Sequence, residues 1–161
     1  MRFEHLIEIN SPSDTLQGVV APFTREQLWR GLMGRVQTPE RFPNGPERCE
    51  CVEQAPGLVA RSLYFGQHVF HDVVQITPLE ALQFTPQAHD ETAPIQLTIR
   101  IEAPQAGQLL LRFVYVALAE QKPEEAHYNE YRHNAWLHND RDMVRTLREW
   151  LDQGLLADVS H

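Results

Sequence analysis

Cysteine is almost missing from this sequence. Cys49 and Cys51 are the only two in 161 residues. A pair one residue apart cannot staple a disulfide framework, and a lone C-x-C is a weak metal motif. Long apolar runs are missing as well, and no stretch approaches the roughly 20 residues that a membrane-spanning helix needs. The first residues, MRFEHLIEINSP, break their apolar positions with Glu4 and Glu8, unlike a secretion signal. Positive charge is scarce. Fourteen Lys and Arg stand against 22 Asp and Glu, a net charge of −8, which disfavours general binding to nucleic-acid phosphate or to an anionic membrane surface. There is no internal repeat, phosphate-binding loop or Ser-His-Asp order, so phosphoryl transfer and simple hydrolysis find no support. The expectation is a cytoplasmic chain with no nucleic-acid partner, no membrane insertion, no metal and no cofactor.

What is present reads as one domain over residues 1–161. Hydrophobic residues make up 42% and charged residues 22%, ordinary for a globular chain. A chain of this length buries roughly 70% of its unfolded surface. FEHLIEIN places Phe3, His5, Ile7 and Ile9 on one side of a strand. TREQLWRGLMGRV opens with Thr24 and Gln27 in capping-box spacing and continues with a helical stripe of Leu28, Trp29, Leu32 and Met33. TPERF restarts with Thr38 as a cap and Pro39 at the first helical position, which predicts a short second helix. From Arg48 to Glu120 the period is two. The strands are RCECVEQ, LVARSLYF, HVFHDVVQIT, ALQFTPQ, PIQLTIRIEA and QLLLRFVYVALA, separated by short breaks. Short connections between alternating strands mean an antiparallel sheet. KPEEAHYNEYRHNAWLHNDRDMVRTLREWLDQGLL follows as a long helix, with Gly154 as its cap.

The stretch LVARSLYFGQHVFHDVV predicts a hairpin with Gly66-Gln67 at its tip, since glycine first in a two-residue loop suits a type II′ turn. Phe65 then faces His68, Leu63 faces Phe70, Arg61 faces Asp72 and Val59 faces Val74. His68 and His71 fall on opposite faces of one strand, so they do not share a metal. The face carrying Arg61, Leu63, His68, Phe70 and Asp72 is the more apolar and is assigned inward. An ion pair amid large apolar residues has two readings. It fixes register, with one end solvated, or it presents a polar anchor to a ligand, Arg61 holding a carboxylate, phenolate or enolate oxygen.

Ile95, Leu97, Ile99 and Ile101 share one face, as do Leu109, Leu111, Phe113, Tyr115 and Ala117. Tyr115 brings a hydroxyl into this apolar wall, bonded to backbone, reaching the rim or facing a ligand. On the long helix Trp136, Met143, Leu147, Trp150 and Leu151 form an apolar stripe. Carried back toward the helix start, the stripe becomes polar through Asp140, His133 and Asn129. That half either overhangs the sheet in solvent or lines a cavity. In a cavity, His133 could shuttle a proton and Asp140 could act as an acid. His127 and His138 fall on the opposite face.

One strand, two short helices, six strands and a long helix is an order that resembles the helix-grip fold of the START and Bet v1-like superfamily. FEHLIEIN, FTREQLWRGL, RVQTPERF and ARSLYF…VFHDVV are similar to the AtaL-like proteins within it. The resemblance implies an α+β fold, a seven-stranded curved antiparallel sheet around the C-terminal helix with a hydrophobic cavity between. It covers nearly the whole chain and supplies no catalytic motif. The expected ligand is small and apolar, aromatic, polyketide-like or lipid. The residues expected to meet it are Arg61, Leu63, His68, Phe70, Asp72, Phe113, Tyr115, His133, Trp136 and Asp140. Two other functions compete: a cyclase, aromatase or dehydratase shuttling protons in the same cavity, and a protein-interaction module, a homodimer being one form of it, using the edge around FPNGPERCECVEQAPG. Convergence of Arg61, Asp72, His133 and Asp140 on one small volume favours catalysis. Scatter favours binding, and a filled cavity favours the interaction module.

Overall fold

The computed structural model describes residues 1–13, 20–88 and 93–157. Strand β1 (Arg2–Asn10) is followed by helix α1 (Arg25–Gln37) and a single 3-10 turn, Pro39–Arg41. Six strands follow: β2 (Arg48–Ala55), β3 (Leu58–Phe65), β4 (His68–Thr77), β5 (Ala81–Pro86), β6 (Ile95–Glu102) and β7 (Leu109–Ala117). A short helix α2 (Pro123–Ala126) precedes the long helix α3 (Asn129–Asp152). The strands form one antiparallel sheet in the order β1-β7-β6-β5-β4-β3-β2. This is the expected helix-grip architecture.

The local signals act where the chemistry puts them. Thr24 Oγ1 accepts from the Gln27 amide at 3.0 Å, and the Gln27 side chain accepts from the Thr24 amide at 2.8 Å. The hairpin register is as the turn predicts, with Phe65 opposite His68 and Arg61 opposite Asp72. Gly66 has φ 60°, as the first central residue of a type II′ turn requires. Gly154 closes α3 with φ 75°. Its amide reaches the Leu151 carbonyl and that of Leu155 reaches Trp150, a Schellman pattern.

The short second helix expected at TPERF is present only as the single 3-10 turn, with Pro39 at its first position. Phe42 turns extended, at φ −98° and ψ 152°, because Pro43 disfavours a helical residue before it. Thr38 does not cap this turn from its side chain. Its hydroxyl donates back to the Gly34 carbonyl of α1 at 3.3 Å. The tail segment also breaks, at His127–Tyr128, into α2 and α3.

The core fills one side of the concave face. Leu28, Leu32 and Val36 of α1, Met143 and Leu147 of α3, and Ile99, Leu111 and Phe113 of the sheet are all buried. Helix α3 lies toward β1 and contacts it. Strand β2 stands at the opposite edge, with Val52 exposed. Among the described residues, no helix is long and apolar enough to cross a membrane.

Candidate functional site

A cavity of about 290 Å³ remains beside α3, over the β3–β6 half of the sheet. Its sheet wall is Arg61, Leu63 and Phe65 of β3, Asp72 of β4, Phe84 and Pro86 of β5, and Ile95 and Leu97 of β6. Asn139 and Met143 of α3 form one flank, Arg35 of α1 another, and the segment from Pro39 to Pro46 closes the remaining side.

Three local features hold that closing segment against its neighbours. Phe42 packs on Trp150 with ring centres 4.8 Å apart. Asn44 adopts φ 62°, a left-handed conformation that asparagine tolerates, and its amide donates to Asn139 Oδ1 at 3.3 Å. Gly45 passes so close to the 3-10 turn that a Cβ there would lie 2.1 Å from the Pro39 carbonyl oxygen.

The Arg61–Asp72 pair is buried. Arg61 Nε donates to Asp72 Oδ1 at 2.8 Å and Nη2 to Oδ2 at 2.6 Å. Nη1 donates to the carbonyls of Arg35 and Val36, at 2.9 and 3.1 Å. Those carbonyls belong to the last turn of α1, where they have no intrahelical partner. Arg61 therefore ties β3 to β4 and seals the end of α1. Cys51 Sγ also points to the Val36 carbonyl, at 3.6 Å, and lies 3.8 Å from Cys49 Sγ. Burial, then the neighbouring Cys51, pushes the Cys49 thiol up to about 12.

A second polar centre lies under α3, against β1 and β7. Asp140 is fully buried. Its Oδ2 accepts from Tyr115 Oη at 2.7 Å and from His5 Nε2 at 2.8 Å. Its Oδ1 and the Nε2 of His133 are buried with no partner among the described residues. Aromatic faces enclose the group: His5 stacks on Phe113 at 4.8 Å, Tyr115 on Trp136 at 4.2 Å and His133 on Phe3 at 4.1 Å. Burial, then the charge of Asp140, pushes the Tyr115 hydroxyl well above its ordinary value of 10.0. Desolvation holds His133 below its ordinary 6.5. Tyr115 is thus a neutral donor, and neutral imidazole is favoured at His133.

The ten expected ligand residues divide. Arg61, Leu63 and Asp72 line the cavity. Phe113, Tyr115, His133, Trp136 and Asp140 gather in the second centre and do not line this cavity. His68 and Phe70 are exposed near the hairpin tip, with ring centres 6.4 Å apart. His71 lies on the other face and meets Ser62 Oγ at 3.1 Å.

Sequence reasoning passed over two residues. His5 carried a signal, as the one ionisable side chain in the inward register of β1. Arg35 carried almost none, since an arginine in the last turn of a helix is ordinary.

No curated protein matches the chain. Solved structures match its fold. The di-domain ARO/CYC StfQ from the steffimycin biosynthetic pathway superposes with a TM-score of 0.68 at 12% identity. The match covers 97% of this chain and 52% of StfQ, so the chain spans about half of that protein. The Zhui aromatase/cyclase from Streptomyces sp. R1128 superposes with a TM-score of 0.60 at 14% identity, over 96% of this chain and 95% of that one. Ara h 8.0201 gives 0.54 at 11% identity, over 95% and 99%. Likeness at such identities establishes the fold alone, a START/Bet v1-like helix grip. The family model described as acetylaranotin biosynthesis cluster protein L matches residues 7–154, and the chain belongs to that family.

Proposed function

We propose that the chain binds a small, largely apolar molecule of aromatic or polyketide-like character in the cavity beside α3. The observation that carries this reading is the cavity itself: about 290 Å³ walled mainly by Leu, Ile, Phe and Pro with a few polar groups among them. That balance is what small-molecule sites share. An apolar cavity of about 150 Å³ takes a benzene ring, so this one has room for roughly two fused rings. The aromatase/cyclase named among its structural neighbours supports the same ligand class.

The test is thermal unfolding against a panel of aromatic acids, phenolic polyketide mimics and fatty acids. A ligand at about 100 times its Kd adds about 2.7 kcal/mol, a Tm rise of roughly 5–10 °C for a chain of this size. Leu63→Trp, which fills the cavity from a half-buried position, is expected to remove the rise and leave the fold intact. No rise with any member of the panel, or a rise that Leu63→Trp leaves untouched, refutes the reading.

The second centre favours one further reading, a cyclase- or dehydratase-type enzyme that moves protons through Asp140. The unpartnered Oδ1 beside a neutral Tyr115 is the supporting observation. A general acid or base must come within hydrogen-bond reach of the reacting group, and Asp140 does not line the cavity. This reading fails if Asp140→Asn and Tyr115→Phe turn over a poly-β-carbonyl mimic as fast as the wild-type chain.

A further inference from the structure

We propose that Arg35, not Arg61, is the anion anchor of the cavity, and that the ligand there carries an anionic oxygen on its apolar body. The assignment rests on the binding reading above and names the class of molecule it takes.

Arg61 has little left to offer a ligand. A guanidinium has five N–H donors, and four hydrogen bonds already leave this one: two to Asp72 and two to the carbonyls of Arg35 and Val36. Asp72 in turn has both its oxygens engaged by Arg61. The pair neutralises itself and holds the wall together.

Arg35 is in the opposite condition. It projects from the last turn of α1 into the space between α1 and α3, where Nη1 donates to Met143 Sδ at 3.1 Å. A thioether is a weak acceptor. No carboxylate among the described residues lies within ion-pair distance of Arg35, yet the residue is half-buried and lines the cavity beside Met143.

The charge of the wall agrees. Its ionisable residues are Arg35, Arg61 and Asp72, two cations and one carboxylate, a net +1 inside a chain of net charge −8. A half-buried cation without a strong acceptor costs desolvation. A ligand carboxylate, phenolate or enolate would supply the acceptor and form a charge-assisted hydrogen bond in a site that screens it poorly.

The experiment measures Kd by titration calorimetry for 2-naphthoate and for 2-naphthamide, which share ring and size and differ in charge. The wild-type chain is expected to prefer the acid by about 10- to 100-fold, the range of one charged hydrogen bond. Arg35→Gln is expected to erase that preference by weakening acid binding far more than amide binding, with far-UV circular dichroism reporting that the variant is folded. Arg35→Lys is expected to retain part of it. Equal binding of acid and amide by the wild-type chain overturns the Arg35 assignment and leaves the cavity standing. So does a preference that survives Arg35→Gln. If neither probe binds up to the order of 1 mM, the binding reading itself fails and the assignment with it. If Arg35→Gln does not fold, the acid-to-amide ratio of the wild-type chain and of Arg35→Lys decides the matter: a ratio near one in both overturns the assignment.

Discussion

Removing either half of the Arg61–Asp72 pair is expected to destabilise the protein strongly, and removing both is expected to do less harm than removing Arg61 alone. The side chains are 5% and 8% exposed, so a survivor cannot turn to water. Breaking a buried pair by deleting one partner costs about 3–5 kcal/mol. The two deletions are unequal. In Asp72→Leu the guanidinium keeps the Arg35 and Val36 carbonyls, which puts the loss near the lower end, about 3 kcal/mol. In Arg61→Met the Asp72 carboxylate loses both of its hydrogen bonds, and the end of α1 loses two donors. Each unsatisfied carbonyl adds about 1–3 kcal/mol when nothing relaxes, so the total is about 5 kcal/mol or more.

A domain of this kind holds about 5–15 kcal/mol in all. Arg61→Met is therefore expected at the edge of folding, Asp72→Leu clearly weakened, and the double variant between them, because it carries no unpaired charge. Urea unfolding followed by far-UV circular dichroism reads all three, with an unchanged m-value showing that the denatured state is the same. The double-mutant cycle should give a coupling of about 3–5 kcal/mol. If each single substitution costs less than about 1 kcal/mol, the value of a solvent-exposed pair, the pair is not the buried clamp described above. If the double loss equals the sum of the single ones, the two side chains do not act together and the reasoning fails.

Two other outcomes follow from the same structure. His133 sits below its ordinary pKa of 6.5 because desolvation disfavours its charged form; the unfolded chain binds the proton first as pH falls, so its contribution is complete above about pH 7 and is lost as pH drops through the folded value. Wild-type stability measured at pH 7 and pH 5 should accordingly fall further than that of His133→Phe, which keeps the stack on Phe3, and parallel curves would contradict this. Gly45→Ala forces a Cβ against the Pro39 carbonyl, which should cost about 1–3 kcal/mol and weaken ligand binding by displacing the cavity wall, whereas an unchanged Tm and Kd would show that the segment yields freely.

Most of the fold was legible because its signals are local. Gly66-Gln67 sets the hairpin, and the hairpin sets Arg61 opposite Asp72. Period two assigns each side chain of β6 and β7 to a face, and the Thr24 capping box starts α1. The turn at TPERF is local too: Pro39 starts it, and Pro43 ends it after Arg41. The site was less legible because its decisive contacts join distant segments. His5 and Asp140 are 135 positions apart. Arg61 finds carbonyls about 25 positions upstream, and nothing in LVARSLYF says that its donors are taken. Periodicity told which face a residue occupies, not which element crosses that face.

The separation of the two polar centres follows from the sheet order. Arg61 and Asp72 stand on β3 and β4, His5 and Tyr115 on β1 and β7, with β5 and β6 between them. Helix α3 lies toward β1, so Asp140 is pressed onto β1 and β7 while Asn139 and Met143, on the same helix, turn toward the cavity. The stack of Trp136 on Tyr115 lies on the Asp140 side, and Leu97, the neighbour of Tyr115 on β6, lines the cavity. Under the proposed binding role, a ligand in the cavity would meet Arg35 and apolar walls, while Asp140 is not among the residues that line it. That separation makes binding the better-supported reading of this geometry.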